Sequence, residues 1–280
     1  MQIVLGAAQF GSDYGVTNKK KLSLSDTKKI LKYSIKHLKF IDTAIYYDQA
    51  NHVLSKLNLK RFKLNSKIII HQKHKNFDLM YKDVLDHLET LNISHLNYLL
   101  IHNTSAFNNF KNKKKIFQNL KKLKKKNLIK NFGISIYNKK EFLDFNRVGV
   151  PPVVQFPYNV FDTRFLDYKN IKLIKKNNIL LQARSCFLQG LLNTDNLPLR
   201  FKKYQSYFNR WNEWCLLKKI TKTEGCLSFV KKNRLIKEAV LGVSSLQELK
   251  YIVKILEKKK NIKIPFFYNI NKKLIDPRKW

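Results

Sequence analysis

The chain has 280 residues, 44% of them hydrophobic, and a formal net charge of +37. That is enough apolar material for a real core, as one large α/β barrel or two smaller units. No run of about 18 apolar residues exists, which excludes a transmembrane helix, and Met1-Gln2-Ile3-Val4-Leu5-Gly6 lacks the basic and apolar regions of a secretion signal.

Short β-rich runs recur along the chain at Ile3–Ala8, Phe40–Ala44, Lys67–Lys73, Asn97–Asn103, Asn131–Ile136, Val153–Tyr158, Ile179–Ser185 and Ala239–Ser245. Several are continuously apolar, as in Ile68-Ile69-Ile70 and Tyr98-Leu99-Leu100-Ile101, the pattern of strands covered on both faces. Helical patterns lie between them. Ser25 is placed to cap a helix carrying Leu31, Ile35 and Leu38, Asp78 to start one carrying Val84, Leu88 and Leu91, and Gln247 to Leu256 follows the last strand. Eight strands alternating with helices predict a parallel sheet, and the number eight predicts closure into a (β/α)8 TIM barrel. With no Gly/Ser linker or composition break, residues 1–280 read as one domain. The aromatic stretch from Leu191 to Leu216 is expected to pack the helix layer.

The charge is carried overwhelmingly by lysine, in runs such as Lys111–Lys115 and Lys121–Lys126, within a sequence also rich in asparagine and isoleucine. All three residues have A/T-rich codons, so biased genome composition explains the excess. The expectation is solvated helix exteriors with no specific nucleic-acid partner, since net charge speaks to partners and not to fold. Cys186, Cys215 and Cys226 have no metal-ligand spacing and fit a reducing cytoplasm; no metal is expected.

In a (β/α)8 barrel, reactive groups gather where strands end at the C-terminal face. The second predicted strand reaches Asp42 and runs on to Tyr46-Tyr47; the third ends in Lys73 and the fourth in His102. Ser135 ends the fifth, Gln155 lies in the sixth, and Arg184-Ser185 end the seventh. Singly these read as a helix cap, a solvated strand end and a satisfied core histidine. Together they form a proton-transfer set. A phenol is a poor acid at neutral pH, an adjacent ammonium lowers its pKa, an aspartate orients the ammonium, and a histidine hydrogen-bonds the substrate oxygen.

Asp42-Thr43-Ala44-Ile45-Tyr46-Tyr47 resembles the D-T-A-x-x-Y signature of the aldo-keto reductase superfamily, within it the bacterial reductases that accompany polysaccharide genes. The resemblance implies Tyr47, and not Tyr46, as catalytic tyrosine, with Asp42, Lys73 and His102 as its partners. It implies that Ser135, in Gly133-Ile134-Ser135, and Gln155 bind the nicotinamide carboxamide. Arg184, Ser185, Phe187, Gln189, Gly190, Ser244 and Ser245 are then the remaining cofactor contacts, in the loops after the last two strands. The implied activity is NAD(P)H-dependent reduction of an aldehyde or ketone, with a sugar-like carbonyl as the expected substrate. NADP(H) is the default cofactor and NAD(H) the alternative. The chain departs from the family pattern at Asp48, Ile136 and Arg184, and offers only hydroxyls, Gln247 and Lys250 near a 2′-phosphate. A cytoplasmic location, no membrane, and a monomer or weak homo-oligomer complete the reading. Two other readings stand beside it: a cofactor-binding regulatory barrel with little turnover, and a basic polyanion-binding protein.

Gly6-Ala7-Ala8-Gln9-Phe10-Gly11 lacks the G-x-G-x-x-G spacing of a Rossmann site, and no P-loop, H-E-x-x-H or G-x-S-x-G is present.

Overall fold

In the computed structural model, which describes all residues except 18–20, 108, 259–261, 263 and 266, eight parallel strands close into a barrel. The order is β1 (Gln2–Gly6), α1 (Leu24–His37), β2 (Phe40–Asp42), α2 (Asp48–Ser55), β3 (Lys63–Ile68), α3 (Phe77–Thr90) and β4 (Leu96–Ile101). A single turn α4 (Thr104–Phe107) precedes α5 (Lys113–Lys125), β5 (Ile129–Ser135), α6 (Lys139–Asn146), β6 (Val153–Pro157), α7 (Tyr168–Lys176) and β7 (Leu180–Arg184). Then follow α8 (Gln205–Leu217), α9 (Lys222–Lys232), β8 (Ile236–Gly242) and α10 (Leu246–Glu257). Each strand pairs in parallel with its neighbour in sequence, and β8 pairs with β1 to close the ring. The expected (β/α)8 architecture is therefore the observed one.

Local chemistry sets the element ends. Ser23, two residues before the expected cap, accepts from the Asp26 amide and starts α1, so the buried face runs through Thr27, Ile30, Leu31 and Ser34 while Ile35 faces out. Asn76 caps α3, and Val84, Leu88 and Leu91 are buried as expected. In α5 the lysines lie on the solvent side, with Ile116, Leu120 and Leu123 inward. The aromatics of the Leu191–Leu216 stretch pack: Phe201, Tyr204, Phe208 and Trp211 are buried.

β3 differs most from expectation. It starts at Lys63, takes in Leu64-Asn65-Ser66-Lys67, and ends at Ile68. The run Ile68-Ile69-Ile70 marks its exit, not its centre. Alternation explains why polar residues belong inside it. Ser66 faces the helix layer, where its Oγ bonds His87 Nε2 of α3 at 2.8 Å, while Lys67 turns into the barrel.

The interior carries polar side chains joined across the ring. Gln155 Nε2 donates to Asp42 at 2.9 Å and also to Gln182 Oε1. Gln182 donates to Glu238 at 2.8 Å, and Tyr98 Oη donates to the same carboxylate at 3.4 Å. Tyr98 on β4 and Glu238 on β8 stand on opposite sides of an eight-stranded ring, so this contact traverses it. Every member is buried, and each hydrogen bond offsets the desolvation of the groups it joins.

Candidate active site

The C-terminal ends of the strands open onto a cavity of about 390 Å³. Asp42, Tyr47, His102, Ser135, Gln155, Arg184, Ser185, Phe187, Gln189, Gly190 and Ser244, all expected at the site, line it. Tyr14, Thr17, Lys67, Tyr137 and Glu248, which were not, line it as well.

Tyr47 hangs from the turn after β2. Asn51 of α2 fixes that turn: its side chain accepts from Thr43 Oγ1 at 2.9 Å and donates to the carbonyls of Ala44 at 2.9 Å and Ile45 at 3.0 Å. The turn sends the two tyrosines apart. Tyr47 is half-buried in the cavity, whereas Tyr46 is exposed and edge-on to the ring of His71. Asn51 is a positioning residue for Tyr47; its only sequence signal is a polar residue on the inner face of an amphipathic helix.

Lys67 holds the place expected of Lys73. Its buried ammonium pairs with Asp42, donates to the Thr43 carbonyl at 2.9 Å, and lies 5.6 Å from the centre of the Tyr47 ring. Lys73 sits outside the cavity, on a one-turn helix (Gln72–Lys75), where it pairs with Asp83 at 2.8 Å in company with His74. The physical reason is the register of β3: Lys67 is an inward-pointing strand residue, while Lys73 lies five residues beyond the strand. Ser245 is the other displaced residue. It caps α10 by accepting from the Glu248 amide at 3.1 Å and does not line the cavity.

The electrostatics hold both candidate proton carriers neutral. Burial, reinforced by the Asp42 charge, pushes the Tyr47 phenol up to about 12, against the smaller opposing effect of Arg184. The sequence expectation was the reverse, a phenol lowered by lysine. Desolvation outweighs the cation because Lys67 is already neutralised by Asp42. Burial, with the Lys67 and Arg184 charges, holds His102 down at about 3. Its ring stands edge-on to Tyr47, the centroids 6.1 Å apart. His102 is thus a neutral hydrogen-bonding group, and Tyr47 a protonated phenol.

The rest of the cavity offers neutral hydrogen-bonding groups and tight backbone. Ser135 Oγ donates to Gln155 Oε1 at 3.3 Å. Ser185, Leu188, Gln189 and Gly190 all have positive φ, so the loop after β7 coils back, and Val16 donates to its Gln189 carbonyl at 3.1 Å. A Cβ at Gly190 would lie 2.1 Å from Thr17 Oγ1, so this close approach requires glycine. Across the mouth, Ser244 N and Oγ donate to Glu248 at 2.7 and 2.8 Å.

The sequence matches the aldo/keto reductase family model over residues 2–272. No curated protein matches it. Among solved structures, the fold is similar to an aldo-keto reductase from Bacillus halodurans in its holo form, with a TM-score of 0.71 and 16% identity, covering 96% of this chain and 94% of that one. It is also similar to a Pseudomonas aeruginosa protein assigned as an aldo-keto reductase, with a TM-score of 0.67 and 17% identity over 90% of this chain and 88% of that one.

Proposed function

The chain belongs to the aldo/keto reductase family, and from its site we propose that it reduces an aldehyde or ketone to an alcohol with a nicotinamide cofactor, Tyr47 giving the proton. The observation that carries this reading is the convergence of the Tyr47 phenol, the His102 imidazole and the buried Lys67–Asp42 pair on one cavity. Four such side chains from three successive βα units, those of β2, β3 and β4, form the constellation expected at the C-terminal face of a barrel enzyme.

The residues present fit a dinucleotide. Ser135 and Gln155 offer the donor–acceptor pair a carboxamide requires. The coiled Ser185–Gly190 loop and Ser244 supply backbone and hydroxyl groups for phosphate or ribose, consistent with phosphate sites after strands seven and eight of such barrels. A bound NAD(P)H supplies the hydride.

The chain's own residues then manage charge and proton. His102, held neutral, donates a hydrogen bond to the substrate oxygen and orients the carbonyl. Tyr47, protonated at every physiological pH, gives up its phenolic proton as negative charge builds on that oxygen. The Lys67 ammonium, 5.6 Å from the ring centre, and the Arg184 charge then stabilise the phenolate, while Asp42 keeps Lys67 in place. These groups are fixed before the reaction, so their reorganisation adds little to the barrier.

The test is a carbonyl panel with purified protein, followed through the loss of reduced-cofactor absorbance. Reduction of at least one carbonyl that disappears in Tyr47→Phe is expected. Tight cofactor binding without single-turnover oxidation by any carbonyl would instead identify a regulatory barrel.

A further inference from the structure

Arg184 ends β7 and lines the cavity as a cation with no carboxylate in ion-pair contact among the described residues. Its position is built, not incidental. Among the described residues two of its five N–H donors are used, Nη1 to Ser185 Oγ at 3.2 Å and Nη2 to the Ile136 carbonyl at 3.1 Å. Its guanidinium carbon lies 4.1 Å from the centre of the Tyr137 ring. Arg278 lies 4.0 Å from the same ring centre. The Tyr137 amide donates to Glu141 at 2.7 Å, which fixes the backbone that carries the ring.

The two arginines differ in one respect. Arg278 is neutralised by Asp276 at 2.8 Å and Glu141 at 3.0 Å. Arg184 has no such counter-ion among the described residues. The acidic groups that line the cavity are committed elsewhere, Asp42 to Lys67 and Glu248 to Ser244. The Arg184 charge reaches the reaction end of the cavity, where it lowers both Tyr47 and His102. A half-buried cation held 4.1 Å over an aromatic ring centre, with N–H donors not used by the described residues, is a receptor for a planar or tetrahedral anion.

We infer that Arg184 selects a carbonyl substrate bearing an anionic group, a carboxylate or phosphate, which supplies the missing counter-ion. This rests on the reductase reading above and adds the substrate's charge class. A charge-assisted hydrogen bond contributes about 1.5–3 kcal/mol, so an anionic substrate should bind about 10–100-fold tighter than its neutral counterpart.

The test is calorimetric titration of the cofactor-loaded protein with matched pairs: succinic semialdehyde against butanal, and glyceraldehyde 3-phosphate against glyceraldehyde. The expected result is a preference of at least tenfold for one anion; which pair shows it tells carboxylate from phosphate. Arg184→Gln should collapse that ratio at least fivefold, and Arg184→Lys, which keeps the charge, should retain part of it. Equal affinity within both pairs, or a preference that survives Arg184→Gln, overturns the inference. So does a loss confined to NADH and NADPH affinity, which would assign Arg184 to the cofactor's phosphates. Turnover of the same ligands is scored separately: an anion that binds through Arg184 yet is never reduced defeats the reductase reading alone.

Discussion

The rings of Tyr47 and His102 stand edge-on with centroids 6.1 Å apart, and neither group is charged at neutral pH. One offers a proton and the other a hydrogen bond, and the turn pinned by Asn51 sets their spacing. Tyr46, one residue earlier, points out to solvent. Tyr47→Phe is therefore expected to reduce carbonyl turnover by at least about 10²-fold, the lower range for losing a positioned acid, with little change in thermal stability. Tyr46→Phe should retain most activity. Steady-state rates of the two variants decide it: the opposite ranking would refute the assignment.

The same burial makes stability pH-dependent. His102 is held down at about 3 and His87, hydrogen-bonded to Ser66, at about 4, both below the usual histidine value near 6.5. The unfolded chain therefore binds more protons than the folded one as pH falls below about 6.5, so stability is full above that pH and drops toward pH 4 and 3. Urea midpoints should fall over this window. His87→Gln, which keeps a hydrogen-bonding group without the titration, should flatten the slope; an unchanged slope would mean that His87 is not held neutral.

The barrel was legible because its strands are short apolar runs at regular intervals, and Asp42, Tyr47 and His102 sit at the ends of such runs. The third strand was not. Its apolar residues cluster at the exit, and its inward face carries Asn65 and Lys67, so a reading by hydrophobicity slides toward Ile70 and selects Lys73. Polar groups inside a barrel are invisible until their partners are known. Gln182 and Glu238 become interior residues only once β6, β7 and β8 stand side by side. Tyr137 and Glu248 were missed for a related reason. Both act through contacts from loops and helix starts, for which no periodicity exists.

Glu248 is expected to bear on cofactor choice. Its carboxylate accepts from Ser244 N and Oγ at the mouth of the cavity, while Lys250, the expected cation, lies over Tyr33. A carboxylate there repels a 2′-phosphate and accepts from a 2′-hydroxyl. The preference for NADPH over NADH should stay below about a hundredfold, or 2.7 kcal/mol. Glu248→Gln should shift the ratio of affinities toward NADPH by about tenfold in fluorescence titrations, about 1.4 kcal/mol. An unmoved ratio would remove Glu248 from cofactor selection.

The net charge of +37 is expected to give only weak, unselective nucleic-acid binding. Solvated lysines of the α5 kind attract phosphate without reading sequence. Binding seen at low salt should then vanish on raising it, since six to ten phosphate contacts lose about 10³–10⁵ in affinity between 50 and 200 mM. Filter binding at 200 mM salt that holds one defined nucleic acid tightly would reverse this view.

The Lys67–Asp42 pair yields a prediction in which stability and catalysis separate. Both side chains are buried, and Asp42 also accepts from Gln155 at 2.9 Å. Lys67→Met leaves the Asp42 charge buried without its cation, an imbalance that costs about 3–5 kcal/mol when one partner of a buried pair is removed. A loss of activity in that variant alone is therefore ambiguous. Replacing both charges, as Lys67→Met with Asp42→Asn, removes the imbalance and should recover most of the lost stability in denaturant titrations. Reduction should not return. The double variant keeps Tyr47, His102 and Arg184 but has lost the Lys67 ammonium beside the phenolate that forms as the proton leaves, and its rate should remain at least about 10²-fold down. Lys73→Met breaks only an exposed pair with Asp83 and should change stability by no more than about 1 kcal/mol, with activity intact. If Lys73→Met abolishes turnover while the double variant at Asp42 and Lys67 retains it, the assignment of Lys67 is wrong.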